Sequence, residues 1–293
     1  MRTATVLVRR LPFFPTGAPS VFGQLAARRS GQVGLVLAVV VVGFVVFAPF
    51  AIVWDPDDQD LIAQLQGPSS SHLLGTDQFG RDVLARVAEG GRRSLMGAAL
   101  ILSVTFGLGL FVGVVAGLAG GVVDSVLMRV VDVFLSIPAL IIAIGLVGAL
   151  GPSFTNLVIA LVAAAWPFYA RIARGFTLNA ALRPDVIAAR LAGVGRLRIL
   201  FGHIVPGAAS RLLIVVSLEF GGVILALAGL SFLGLGAQPP AAEWGAILAD
   251  SRNFFTVAPW LLLAPGIAIV LAVAAANLIA ESLRDLADEP VPL

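Results

Sequence analysis

Five long stretches without a charged side chain set the pattern of this chain: residues 31–54, 94–123, 133–170, 220–242 and 253–280. Each is at least as long as the roughly 20 residues a helix needs to cross a ~30 Å hydrocarbon core. Charges collect between these runs, so the pattern is that of an all-α polytopic membrane protein. The third run has 38 residues, about 57 Å as one helix at ~1.5 Å per residue, too long for a single crossing. Gly151-Pro152-Ser153 divides it into two spans joined by a hairpin, and Pro138 and Pro167 are positions where either helix can kink. Six spans result. The second is rich in glycine, and Gly109 and Gly113 form a small-xxx-small face suited to close helix contact. Gly120-Gly121 then predicts a tight turn.

These patterns predict a tail over 1–31, a first span over 32–54, a polar segment over 55–93 and a five-helix core over 94–283. The core contains a charged loop at 175–211, and a second tail covers 284–293. Charge gives the orientation. The first tail holds Arg2, Arg9, Arg10, Arg28 and Arg29 without an acid, whereas Asp55, Asp57, Asp58 and Asp60 follow the first span. Between 171 and 211 lie seven arginines and one acid, Asp185. Both observations put the first tail and this loop on the cytoplasmic side, and six spans then return the second tail there. The first apolar run exceeds the core of a secretory signal, so it is expected to remain as a span.

At 59% hydrophobic and 12% charged over 293 residues, the chain is too apolar for a soluble domain of this size. The net charge of +2 gives no basis for nucleic-acid binding. The 19 basic residues are all arginine and no cysteine is present. Without lysine there is no P-loop, and without cysteine and with two histidines there is no His-Glu-x-x-His or Cys-x-x-Cys metal site. No Gly-x-Ser-x-Gly elbow occurs either, so the chain is not expected to be an enzyme by itself.

The remaining candidates are local. Thr76 or Asp77 could cap a helix, with Asp82 and Arg86 as an i,i+4 pair on a solvated amphipathic helix. Arg129 and Asp132, three apart, share a helix face and are expected to form a structural ion pair. Glu219 falls inside the fifth span, expected from about residue 212. A carboxylate at that depth faces the bundle interior or water, either paired with an arginine of another span or subunit or lining a translocation path. The Gly- and Pro-dense string Leu230-Ser-Phe-Leu-Gly-Leu-Gly-Ala-Gln238-Pro239-Pro240 predicts a broken, partly re-entrant segment, with Gln238 and Pro239 as candidate path or gate residues.

The central feature is the arginine-studded island from Asp185 to Pro206. Pro184 suits a first helical position, Gly193 and Gly195 can end the helix, and Ala188, Ala189 and Ala192 give it a low side. Arg190, Arg196 and Arg198 hold it at a membrane face. The segment resembles the coupling loop of bacterial ABC-importer permeases, in which Glu-Ala-Ala is followed by three residues, Gly and, further on, Ile-x-x-Pro. Ala188-Ala189, Gly193 and Pro206 fit, while Ile187 replaces the Glu and His203 the Ile. Leu74-Gly-Thr-Asp-Gln-Phe-Gly-Arg-Asp82, the 230–240 string and the ending from Asn277 through Glu281, Arg284 and Asp285 are similar to the same class. The likeness spans 72–288 and is to the C-type permease of dipeptide, oligopeptide and nickel importers.

That resemblance implies a type I importer fold in a bacterial inner membrane. It implies a second, homologous permease, two ATP-binding subunits that use ATP and Mg, and an extracytoplasmic solute-binding protein. Asp185, Ile187, Ala188, Ala189, Arg190, Gly193, Arg196, His203 and Pro206 would then couple to an ATPase, with membrane lipid around the bundle and no cofactor bound by this chain. The alternative is an ion- or proton-coupled carrier working alone through Glu219, which would carry further buried acids and repeat symmetry.

Overall fold

The computed structural model describes residues 28–288; the expected tails at 1–31 and 284–293 lie largely outside that range. Helix α1 (Arg29–Ala51) occupies the first uncharged run. Helix α2 (Val83–Ala119) is 37 residues long and starts at Val83, eleven residues before the apolar run that predicted it. The reason is Asp82, whose carboxylate accepts the Ala85 amide at 2.8 Å and caps the first turn. Thr76 and Asp77 do not cap it, and the polar segment expected to reach 93 therefore ends at 82.

A turn at Gly120 and Gly121 leads to α3 (Gly121–Leu135) and α4 (Ala139–Leu150), which are bent by 85° to one another. Pro138 stands at the break and so does more than kink a straight third span. Ser153 caps α5 (Phe154–Ala181) by accepting the Asn156 amide. The short α6 (Pro184–Leu191) follows, then α7 (Arg196–Ile199) and a π-helical turn, Leu200–Ile204. They run into α8 (Val205–Leu218), so the fifth apolar span begins at Arg196 instead of near 212. Helix α9 (Phe220–Phe232) continues beyond a break at Glu219. It is followed by α10 (Trp244–Ser251) and α11 (Trp260–Asp288). Among the described residues there is no strand, and five helices are long and apolar enough to cross a membrane, six when α3 and α4 count as one span.

The bundle closes along a glycine seam between α2 and α5. A Cβ added at Gly109 would lie 2.6 Å from the Tyr169 Cβ, one at Gly113 2.5 Å from the Ala173 Cβ, and one at Gly117 3.0 Å from the Thr177 Cβ. Spacing by four keeps these glycines on one helix face, so two backbones can meet without side chains between them. Apolar clusters flank the seam. Leu102, Tyr169, Ala173, Leu212 and Val216 form one, and Ile101, Leu157, Leu227 and Leu230 belong to another. Where the seam reaches α3, Arg174 donates twice to Asp124, both at 2.6 Å, and Arg171 donates to Asp132. The expected Arg129–Asp132 pair is absent; Arg129 is exposed and has no ion pair among the described residues. An acid that is C-terminal to its arginine is in the weaker order for a helical pair, and Asp132 turns to α5 instead. At the other side of the bundle α1 lies on α11, with Ser30 and Ser282 hydroxyls 3.0 Å apart and Arg28 donating to Asp285 at 2.8 Å.

Gly113→Ala should destabilise the purified protein by about 1–3 kcal/mol, because its methyl meets the Ala170 carbonyl and the Ala173 Cβ with no flexible neighbour to yield. Gly107→Ala, exposed and with nothing within 4 Å of the added methyl, should be neutral or slightly stabilising. Thermal unfolding in detergent compares the two.

Candidate functional site

The island at 184–206 folds around a small buried core centred on one side chain. Pro184 opens α6, and Val186, fully buried, packs with Ala180, Ile199 and Ile204. The helix ends in a Schellman motif. The Val194 amide donates to the Ala189 carbonyl and the Gly193 amide to that of Arg190, both at 3.0 Å. Gly193 has φ +75° and meets nothing, so its freedom of φ is what the turn uses. Val194 and Ala189 then pack on the same small core. Asp185 ties the ends together: Arg183 donates to its two oxygens at 3.0 and 3.1 Å, and His203 Nδ1 lies 3.5 Å from it. Asp185 and His203, eighteen positions apart, thus meet at the root of the loop.

What remains outside is a helix face. Ile187, Ala188, Arg190, Leu191, Ala192 and Gly193 are exposed, as are Arg196, Arg198 and Pro206. Ala189 is half-buried against the loop's own core, so of the three alanines expected on one low side only Ala188 and Ala192 are free. The sequence reading missed the bulky apolar residues beside them. Leu191 is 85% exposed, and Leu182, Leu197 and Phe201 are each largely exposed. Their signal was present in the interleaving of Leu and Phe with Arg, a pattern that here makes an apolar patch with a cationic rim.

On the opposite side of the chain, the string from Leu74 to Arg86 is a buried polar knot and not a solvated helix. Asp77 accepts from the Arg81 Nε at 2.7 Å and from the amides of Phe79 and Arg81 at 2.8 and 3.0 Å. Arg86 does not pair with Asp82. It lies 3.4 Å from Asp77 and 3.5 Å from Asp57, and donates to the carbonyls of Pro56 and Pro240. Asp82 instead faces His72 Nδ1 at 2.9 Å. Glu243, fully buried, accepts from the Ser94 hydroxyl at 2.7 Å and caps α10, while Trp244 donates its indole N–H to Val87. Burial pushes the nearby Asp250 carboxyl above its ordinary range, with Arg86 and Arg81 opposing the shift. The knot joins the 55–82 segment, the start of α2 and the 233–243 loop into one cap.

Glu219, at the break between α8 and α9, is exposed on the single chain and has no ion pair among the described residues. Among the described residues no arginine pairs with it. Gln238 uses its amide to donate to the carbonyls of Gly234 and Gly236, so it holds its own loop; Pro239 beside it is exposed. Among the described residues no group of three His, Asp or Glu side chains is placed to hold a metal ion.

A bundle of apolar helices closed by a glycine seam, with an exposed short helix on an arginine-rich loop, has the architecture of a membrane transport component. Comparison with known proteins agrees: residues 109–290 match the family described as binding-protein-dependent transport system inner membrane component. The chain is 38% identical over 253 residues to the probable D,D-dipeptide transport system permease protein DdpC of Escherichia coli K12, covering 86% of this chain and 85% of that protein. It is 36% identical over 264 residues to the nickel transport system permease protein NikC of the same strain, covering 90% and 95%. It is also 36% identical over 267 residues to the dipeptide transport system permease protein DppC of Alkalihalophilus pseudofirmus, covering 91% and 88%. The chain belongs to this family of inner-membrane transport components, with the fold of type I ABC-importer permeases. It is a permease subunit, and the reading of a carrier working alone through Glu219 gives way to it.

Asp77→Asn should destabilise the protein by about 3–5 kcal/mol, because Arg81, 1% exposed, then stays buried without its main counter-charge. The expected reading is a loss of most folded protein in detergent extracts, checked by size-exclusion chromatography.

Proposed function

We propose that this chain forms one half of the path of an ATP-driven importer for peptides or chemically related solutes. A second permease would form the other half, and two ATP-binding subunits and an extracytoplasmic solute-binding protein would complete the assembly. The names of the relatives, which include D,D-dipeptide, dipeptide and nickel systems, support that range of cargo. The termini and the 182–206 loop would face the cytoplasm, in keeping with the arginines of the loop.

The observation that carries the coupling reading is the construction of α6. Its inner side is held by Val186, Ala189 and the Schellman turn, while Ile187, Ala188 and Leu191 stand outward with no apolar neighbour to cover them. A rigid helix with small residues between large ones fits a groove on a partner. Closure of the ATPases on ATP would press this helix, and α5 and the 196–218 span, which enter and leave the loop, would carry the movement into the bundle. Asp185, Arg183 and His203 would keep the loop and the two spans moving as one body. Arg190, Arg196 and Arg198 would fix the loop against acidic groups of the ATPase or lipid headgroups. Glu219, exposed at the break between α8 and α9 and without an ion pair among the described residues, would line the path between the two permeases, where its carboxyl can meet water or the partner instead of lipid.

Ala188→Asp and Leu191→Asp should each weaken retention of the ATP-binding subunits by at least tenfold, since a buried unpaired charge costs about 2–5 kcal/mol at an interface. The test is affinity purification of the tagged chain in mild detergent. The second permease should remain with both variants; ATPases that stay bound in normal amount would count against this docking face. Glu219→Gln should lower uptake of a radiolabelled peptide severalfold while leaving the recovered complex intact, and unchanged uptake would remove Glu219 from the path.

A further inference from the structure

A groove of about 730 Å3 opens between α1 and α2, floored by α11. Its walls are apolar, with Val42, Val46 and Phe50 from α1 and Met96 from α2, and the floor is made by Ala272 and Ala276. It exists because small residues stand where the three helices would otherwise meet. It is also held open. A Cβ on Gly34 would lie 3.0 Å from Ile279, and one on Gly91 2.6 Å from Val45, so α1 is pinned against α11 at one point and α2 at another and cannot fold down over the alanines.

One charged side chain lines this groove, Arg92. It is exposed and has no ion pair among the described residues, whereas the adjacent Arg93 lies 3.2 Å from Glu89. Arg92 stands two residues before the uncharged stretch that begins at 94, which puts its guanidinium at the boundary between the polar cap and the hydrocarbon. A cation at the membrane surface above an apolar channel running to membrane depth has the polarity of one ligand class. That ligand has an anionic head and a long apolar tail. A polar cargo molecule would find almost nothing to hydrogen-bond in the groove, and a purely apolar helix would leave Arg92 without a counter-charge.

We propose that this groove binds a single anionic phospholipid, with an acyl chain lying along Val42, Val46 and Met96 over the alanine floor and its phosphate held by Arg92. Arginine suits the task because its planar fork can donate two hydrogen bonds to one phosphate. The bound chain would fill the gap between α1 and α2 and join the first helix to the body of the bundle.

The test is native mass spectrometry of the membrane-extracted protein, with the subunits that accompany it, after exchange into nanodiscs containing equal phosphatidylglycerol and phosphatidylcholine. Wild type should retain one phosphatidylglycerol. Arg92→Gln should lower that retention at least about tenfold, as expected for loss of a charge-assisted bond, and Arg92→Lys should restore most of it. Ala99→Phe, on the exposed wall of the groove, should displace lipid of either kind without lowering the unfolding temperature. Equal retention of both lipids by wild type, or undiminished phosphatidylglycerol in Arg92→Gln and Ala99→Phe, would overturn the proposal. The absence of native cysteine allows a second arm. Ala99→Cys carrying a photoreactive label should yield a phospholipid adduct, and an adduct with a protein chain would show that a partner helix fills the groove instead.

Discussion

The contact of α2 with α5 along Gly109, Gly113 and Gly117 governs the rest of the molecule. Lipid tails are as apolar as leucine side chains, so burial alone gives little reason for two transmembrane helices to associate; close packing must supply it. Three glycines on one face allow that packing. They also set the axial register of the two helices, and that register decides which polar groups meet. With Gly113 opposite Ala173, Arg174 and Arg171 come level with Asp124 and Asp132 of α3. The same register sets the height at which α5 ends and the 182–206 loop begins.

Polar chemistry is concentrated at the two ends of the bundle and is organised differently at each. In the cap around Asp77, Arg81 and Arg86 the charges are buried, multiply paired and backed by backbone hydrogen bonds. Such a network resists local change, because loss of any one member leaves another buried without a partner. In the 182–206 loop a small apolar cluster of Val186, Ile199 and Ile204 and one aspartate make the scaffold, and most arginines face outward. One end of the bundle therefore interlocks its charges, whereas the other turns most of them outward.

Glu219 shows where an isolated chain is physically incomplete. A carboxylate within an apolar span, exposed at the break between α8 and α9 and without a cationic partner among the described residues, has no stable setting in lipid. Its surroundings must be supplied by water or another subunit. The exposed Leu191, Leu197 and Phe201 likewise leave apolar surface on the 182–206 loop uncovered in the single chain.

Much of this was legible in the residues. Uncharged run lengths set the class, Gly109 and Gly113 announced a close helix face, Pro184 and Gly193 bounded α6, and three separated strings indicated the family. These signals are local: propensity, run length and the φ demanded by a turn depend on neighbours in the chain. The beginning of α2 was missed because an apolar run reports hydrocarbon contact, whereas Asp82 caps the helix eleven residues earlier inside a buried polar cap. The partners of Asp132 and Arg86 were missed because ion pairing depends on which helix lies opposite. The 85° bend at Pro138 and the inward side of Ala189 likewise followed from packing against α5 and the loop core. Sequence by itself determined the apolar runs and the glycine and proline turns that separate several of them. Only the tertiary structure decided which charges are buried together and which faces are left open, because those depend on register between helices that no local pattern encodes.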